Sequence, residues 1–179
     1  MKNSCRFVQI RGPNSFSSEP RDMNIIDLHC HILPGLDDGP ESLEESLAMA
    51  RMAVKDGIDT MVCTPHHIPG LYHNTRPTVQ EALQKLSEHL ADAGIPLTIC
   101  PGAEIHIEAV HQADLSRQDL VTINDTGRYI LLELPAQFKP QRIDHLFWEI
   151  LAQDVTPILA HTERYLYLLK DPQPISDWL

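Results

Sequence analysis

Short apolar runs alternate along the chain with longer stretches in which apolar residues recur every three or four positions. The first run, Asn24-Ile25-Ile26-Asp27-Leu28, predicts a strand. Over 42–55, Leu43, Leu47, Ala50 and Val54 fall on one side of a helix that stops near Gly57. A second strand is predicted over 58–63. A second long helix follows over 77–93, with Val79, Leu83, Leu86 and Leu90 on one side and Gly94 as its stop. Residues 97–100 predict a third strand and 129–134 a fourth. A helix over 141–153 then leads to a fifth strand at 156–160. Residues 105–115 predict one short helix at most, and no internal repeat or low-complexity tract is present.

The strand runs are close to continuously apolar, which points to strands covered on both faces. A parallel sheet with helices outside is therefore favoured over an antiparallel one, giving an α/β fold. Five such units would leave an edge exposed in a closed barrel, so the expectation is that part of the barrel is missing or that a partner covers the opening. Residues 1–22 read as a loose extension that the Gly12-Pro13-Asn14-Ser15 stretch keeps from being a signal-peptide core. A start at Met23 would leave 23–179 as the organised domain.

Composition narrows the chemistry. The chain has 179 residues, enough for one domain with one core, and a formal charge of -11. A broad contact with a phosphate backbone is disfavoured by that charge, so no nucleic acid partner is expected. A phosphorylated substrate is not excluded, because bound cations supply positive charge locally. The four cysteines, Cys5, Cys30, Cys63 and Cys100, form no CxxC pair and read as reduced thiols of a cytoplasmic protein. No apolar run approaches the roughly 18 residues of a bilayer span.

Polar residues gather where the strands end. The first strand runs into Asp27-Leu28-His29-Cys30-His31, and in extended chain His29 and His31 share a face. Two neutral imidazoles side by side can grip one divalent ion, although this pattern alone is weak. The second strand ends in Thr64-Pro65-His66-His67, the third in Pro101-Gly102-Ala103-Glu104, the fourth carries Glu133, and the fifth ends at His161, followed by Glu163 and Arg164. In parallel β/α proteins those ends converge on one rim, so together they predict a metal centre. In the turn of 35–39, either Asp37 or Asp38 could reach it; the alternative is a solvated turn leading to a helix cap. A His, Asp and Glu set favours zinc, manganese or iron, and holds too many ligands for one tetrahedral site.

With these residues in view, the sequence resembles the polymerase and histidinol phosphatase (PHP) superfamily, in its bacterial branch of manganese-dependent tyrosine-protein phosphatases of capsule and exopolysaccharide synthesis. The matching stretches are 27–40, 64–67, 102–105, 132–135 and 160–165, within roughly 23–172. The resemblance implies a distorted seven-stranded TIM-like β/α barrel with up to three Mn2+ ions at its rim. It implies that His29 and His31 hold a first ion and that Glu104 bridges to a second, completed by Glu133 and His161. Asp38 and His66 would hold a third. Arg164 matches a phosphate-meeting arginine, while His67, Glu163 and Asp27 would support the ligands. A later Ser-Asp-x-His segment of the family pattern has no counterpart after His161, so the resemblance implies a domain truncated at its C-terminus.

The implied reaction is hydrolysis of phosphotyrosine in proteins, with a bacterial tyrosine kinase as an implied partner, and His161 and Arg164 at its centre. Cysteine chemistry is not expected, because Cys30, Cys63 and Cys100 lack an arginine six residues on. Cys5 has Arg11 at that spacing, but no glycine lies between them to cradle a phosphate. Two alternatives stay open at this level: a small-molecule phosphatase, such as one acting on histidinol phosphate, and an inactive metal-binding remnant with a structural or regulatory role.

Overall fold

The computed structural model describes residues 25–110 and 120–178. The expected extension at 1–22, and the end of the short helix expected within 105–115, lie outside them. The strands are β1 (Ile25–Cys30), β2 (Ile58–Cys63), β3 (His66–Ile68), β4 (Tyr72–His73), β5 (Thr98–Pro101), β6 (Glu104–His106), β7 (Tyr129–Glu133) and β8 (Thr156–Leu159). The α-helices are α1 (Leu43–Lys55), α2 (Arg76–Asp92), α3 (Ile107–Val110), α4 (Ile143–Leu151), α5 (Leu166–Lys170) and α6 (Gln173–Trp178). Two sheets result, a three-stranded one in the order β1-β2-β5 and a five-stranded one in the order β4-β3-β6-β7-β8.

The five apolar runs correspond to β1, β2, β5, β7 and β8. The expected parallel sheet is divided into two, and no closed barrel forms among the described residues. The sheet breaks at one level on two neighbouring strands. β2 passes into β3 through Thr64-Pro65, and β5 into β6 through Gly102-Ala103. β2 pairs in parallel with β5, and β3 with β6, so the neighbours keep company across the break. Pro65 has no N–H for a ladder, and its carbonyl instead accepts the N–H of Glu104 at 3.1 Å. At Gly102 a Cβ would stand 2.7 Å from Val62 Cγ1 and 3.2 Å from the Cys63 carbonyl, so the close approach of the two strands requires glycine. All remaining pairings are parallel except the β3–β4 hairpin.

Local signals account for the helix ends. Ser42 caps α1 in a reciprocal capping box with Glu45, and Gly57 turns the chain with a φ of +90°. Helices α1 and α2 pack together and against β2 and β5, and α4 packs on β8. They bury the main core around Ile32, Leu33, Leu86, Ile105, Leu132 and Ile150. A smaller cluster of Val62, Cys100, Ile123, Leu131 and Ala160 lies apart from it. Leu131 is two residues before Glu133 and Ala160 is next to His161, so this cluster forms an apolar bed beside the polar strand ends. Cys30 and Cys63 are free thiols, as expected, but Cys100 is disulfide-bonded. Among the described residues no helix is long and apolar enough to cross a membrane.

Gly102→Ala is expected to destabilise the chain by about 1–3 kcal/mol, because the added methyl meets both a branched side chain and backbone. A urea titration reads this as a lower midpoint; an unchanged midpoint would show that the two strands can part at no cost.

Candidate metal centre

The strand ends converge on one carboxylate. Glu104 opens β6 and is 1% exposed. Its Oε2 lies 3.0 Å from His29 Nε2, 3.1 Å from His31 Nε2 and 3.3 Å from His66 Nδ1, while its Oε1 lies 2.7 Å from His161 Nε2. An ionised carboxylate removed from water needs such partners. Glu133, at the end of β7, stands 3.5 Å from His66 Nδ1 and 3.6 Å from His161 Nε2. Asp38 approaches from the turn after β1, 3.6 Å from His66 Nε2. His29 and His31 do share a face, their Nε2 atoms 3.2 Å apart.

Three overlapping groups have ligand atoms close enough for a shared ion: His29, His31 and Glu104; His31, Asp38 and His66; and His66, Glu104 and Glu133. The chemistry of the set fits a metal cluster. Two imidazole nitrogens facing one another at 3.2 Å can share at most one proton, whereas a cation between them would take a lone pair from each. Among the described residues, buried His66 Nδ1, Glu133 Oε2 and His161 Nδ1 find no partner in hydrogen-bond geometry, although His66 and Glu133 lie 3.5 Å apart. A mixed nitrogen and oxygen set suits zinc, manganese or iron.

Asp37 and Asp38 have different roles. The Asp37 carboxylate is fully buried, takes His31 Nδ1 at 2.6 Å, and accepts the backbone N–H of His66 at 2.8 Å and of Gly39 at 3.0 Å. With Nδ1–H held by Asp37, the Nε2 of His31 is the nitrogen left to face an ion. Asp38 is the exposed member that reaches towards the rim. The two-residue contact from Asp37 to Gly39 is an Asx turn, and an Asp two positions before a glycine was the available signal. A Cβ on Gly39 would come 2.5 Å from the His31 carbonyl, so this turn too admits only glycine.

The other expected residues are placed as follows. Asp27 accepts the N–H of His29 at 3.0 Å. His67 points away from the rim into the protein, and its Nδ1 meets the Asn74 carbonyl at 3.0 Å. Glu163 is exposed. Arg164 joins the converging ligands in lining a cleft of about 800 Å³, whose apolar lining includes Met49 and Ala136. Sequence reasoning missed Asn74, whose side-chain amide donates to the carbonyls of Leu36 and His66 and so ties the Asp37 turn to β3. Cys30, between the two histidines, has its thiol pushed up to about 12 by burial, with Asp27 and Asp37 adding to the effect. It is a thiol rather than a thiolate, which agrees with the expectation of no cysteine nucleophile.

Burial would lower the His31 pKa, but the hydrogen bonds to Asp37 and Glu104 dominate and raise it to about 10. Burial likewise opposes ionisation of Glu104 and Asp37, yet their histidine and backbone partners hold both below the ordinary carboxylate range.

A family model described as capsular polysaccharide synthesis, CpsB/CapC, matches residues 25–178. The tyrosine-protein phosphatase YwqE of Bacillus subtilis is 40% identical over 148 residues, covering 83% of this chain and 58% of the relative. The tyrosine-protein phosphatase CpsB of Streptococcus pneumoniae is 33% identical over 141 residues, covering 79% of this chain and 58% of the relative. A solved structure from the YwqE and CpsB pair, described as unique metal-dependent tyrosine phosphatases, superposes with a TM-score of 0.81 at 39% identity. It covers 86% of this chain and 62% of the other. The chain thus spans 58% of the length of each of these two relatives.

Two outcomes are expected. In the metal-free chain, the His31 contribution to stability is fully present below the ordinary histidine value of 6.5 and is lost as pH rises through about 10. Those of Asp37 and Glu104 are present above their ordinary values of 3.8 and 4.5 and are lost as pH falls further. Because an ion competes with the proton on His31, a divalent metal should raise the unfolding temperature more at pH 8 than at pH 6. Thermal scans with and without metal would read this, and a larger rise at pH 6 would contradict it. Asp37→Asn should weaken metal binding about 10- to 100-fold by calorimetry, since it removes the charge that orients His31; unchanged affinity would assign Asp37 to the turn alone.

Proposed function

The chain belongs to the CpsB/CapC family of capsular polysaccharide synthesis, and on that premise we propose that it is a metal-dependent phosphatase that removes phosphate from tyrosine in proteins. The observation that carries this reading is the convergence of four imidazole nitrogens on the buried Glu104 carboxylate, with Arg164 lining the same cleft. The proposed fold is the rim of a distorted β/α barrel, with 23–179 as the phosphatase domain. The proposed ions are Mn2+, up to three of them. His29, His31 and Glu104 would hold the first, Glu104, Glu133 and His161 the second, and Asp38 and His66 the third, with His31 and His66 near enough to be shared.

When bound, the ions would lower the pKa of water and offset negative charge on the transferring oxygens. The chain's own groups do the rest. Water attacks phosphorus in line, the bond to the tyrosine oxygen breaks, and inorganic phosphate and tyrosine leave. Arg164 presents a guanidinium whose planar fork suits two phosphate oxygens. Among the described residues it enters no ion pair that would hold it back. Asp37 keeps His31 in one tautomer, and the apolar bed of Leu131 and Ala160 keeps the strand ends in register. Met49 and Ala136 offer the phenyl ring of a phosphotyrosine apolar contacts in the cleft lining. A bacterial tyrosine kinase in the cytoplasm is the proposed source of the phosphotyrosyl protein.

The test is turnover of a phosphotyrosyl peptide by the 179-residue chain with added Mn2+. His161→Ala is expected to lower the rate by a factor on the order of 100 or more, because it removes a ligand facing two carboxylates. Arg164→Lys is expected to lower kcat/KM about tenfold or more, because the forked contact is lost. A folded chain with no turnover above the His161→Ala variant would overturn the enzymatic reading. A preference for small alkyl phosphates over the peptide would overturn the substrate.

A further inference from the structure

The turn that carries His161 and Arg164 away from β8 is held in a conformation its own residues do not favour. His161 has φ 30° and ψ 54°, in the left-handed region, which costs a non-glycine residue about 1–3 kcal/mol. No side-chain cap stabilises the 3-10 turn Thr162–Arg164 that follows; its Arg164 N–H donates to the His161 carbonyl at 2.8 Å. Tyr165, which closes the turn, is fully buried. Its phenolic oxygen accepts the N–H of Leu134 at 3.0 Å, one residue after Glu133. Its ring meets the His161 imidazole edge-on, with centroids 5.7 Å apart, and stacks on Tyr167 at 5.8 Å. The next residue, Leu166, donates its N–H to the Ala136 carbonyl at 2.8 Å. Two hydrogen bonds thus clasp the segment after His161 to the segment after Glu133.

We propose that Tyr165 is a positioning residue for the metal centre: its hydroxyl and ring fix the end of β7 relative to the turn after β8, and with them Glu133, His161 and Arg164. The inference rests on the metal reading above. A tyrosine that merely filled the core would have the same burial. The difference lies in the hydroxyl, which bonds the backbone beside one candidate ligand while the ring contacts another. Tyr167 is a built-in comparison, because it stacks on the same ring while its buried hydroxyl has no hydrogen-bond partner among the described residues. Leu166 offers an independent cut. Its side chain is 49% exposed and it occupies the first position of α5, where proline is tolerated, so Leu166→Pro removes the N–H bonded to Ala136 and little else.

The experiment is calorimetric titration of the metal-free 179-residue chain with Mn2+, alongside Tyr165→Phe, Tyr167→Phe and Leu166→Pro, each checked for folding by thermal unfolding. Tyr165→Phe is expected to weaken Mn2+ binding about tenfold or more, Leu166→Pro to weaken it in the same direction, and Tyr167→Phe to leave it unchanged. Unchanged affinity in a folded Tyr165→Phe overturns the inference, as does an equal loss in Tyr165→Phe and Tyr167→Phe, which would mark general loosening of the core. Should Tyr165→Phe not fold, Leu166→Pro decides: weaker binding supports the clasp and wild-type binding overturns it. An unaltered chain that binds no Mn2+ overturns the metal reading itself, a result distinct from failure of the clasp.

Discussion

Burial of the Glu104 carboxylate constrains the rest of the architecture. Taking an ionised carboxylate out of water costs several kcal/mol unless opposing groups surround it, and here those groups are imidazoles. They come from the ends of β1 and β2–β3 and from the turn after β8, so no single element could supply them. The sheet has to curve until these ends meet. The break at Pro65 and Gly102 allows this, because it lets two paired strands change direction together. A slip of one residue in β1 would turn His29 and His31 away from Glu104 and bring Leu28 and Cys30 to that face.

Around this centre stands a second set of contacts whose work is orientation. Asp37 holds His31 and the backbone of His66 at once; Asn74 ties the same turn to β3; Tyr165 clasps the far side. None of the three comes from the interior of a strand. The strands bring the ligand residues to one level, and the turns beyond them set the angle of each ring.

Much of the scaffold was legible in the sequence because its signals are periodic. The helices announced themselves by three- and four-residue spacing and glycine stops, and β2 was placed at its observed bounds by its apolar run. The histidines and glutamates stood out because each interrupts or ends such a run. Three-residue strands such as β3 and β6 have no period to detect and were read as strand ends, so the division into two sheets was hidden. Asp37 and Asp38 are neighbours of the same type, and only the fold decides which is buried. Tyr165 closes the matching stretch 160–165, and no sequence signal assigned it a role. Its importance comes from a partner, Leu134, that is 31 positions away.

That remoteness extends to the centre itself. Glu104 meets His29 across 75 positions and His161 across 57. During synthesis His29 and His31 emerge long before the carboxylate that will receive them, and that carboxylate waits in turn for His161. No early fragment holds the assembled set, and every loop must close before the contacts begin to stabilise one another. The centre is therefore complete only when segments from β1 through His161 have docked together, and its integrity records that they have.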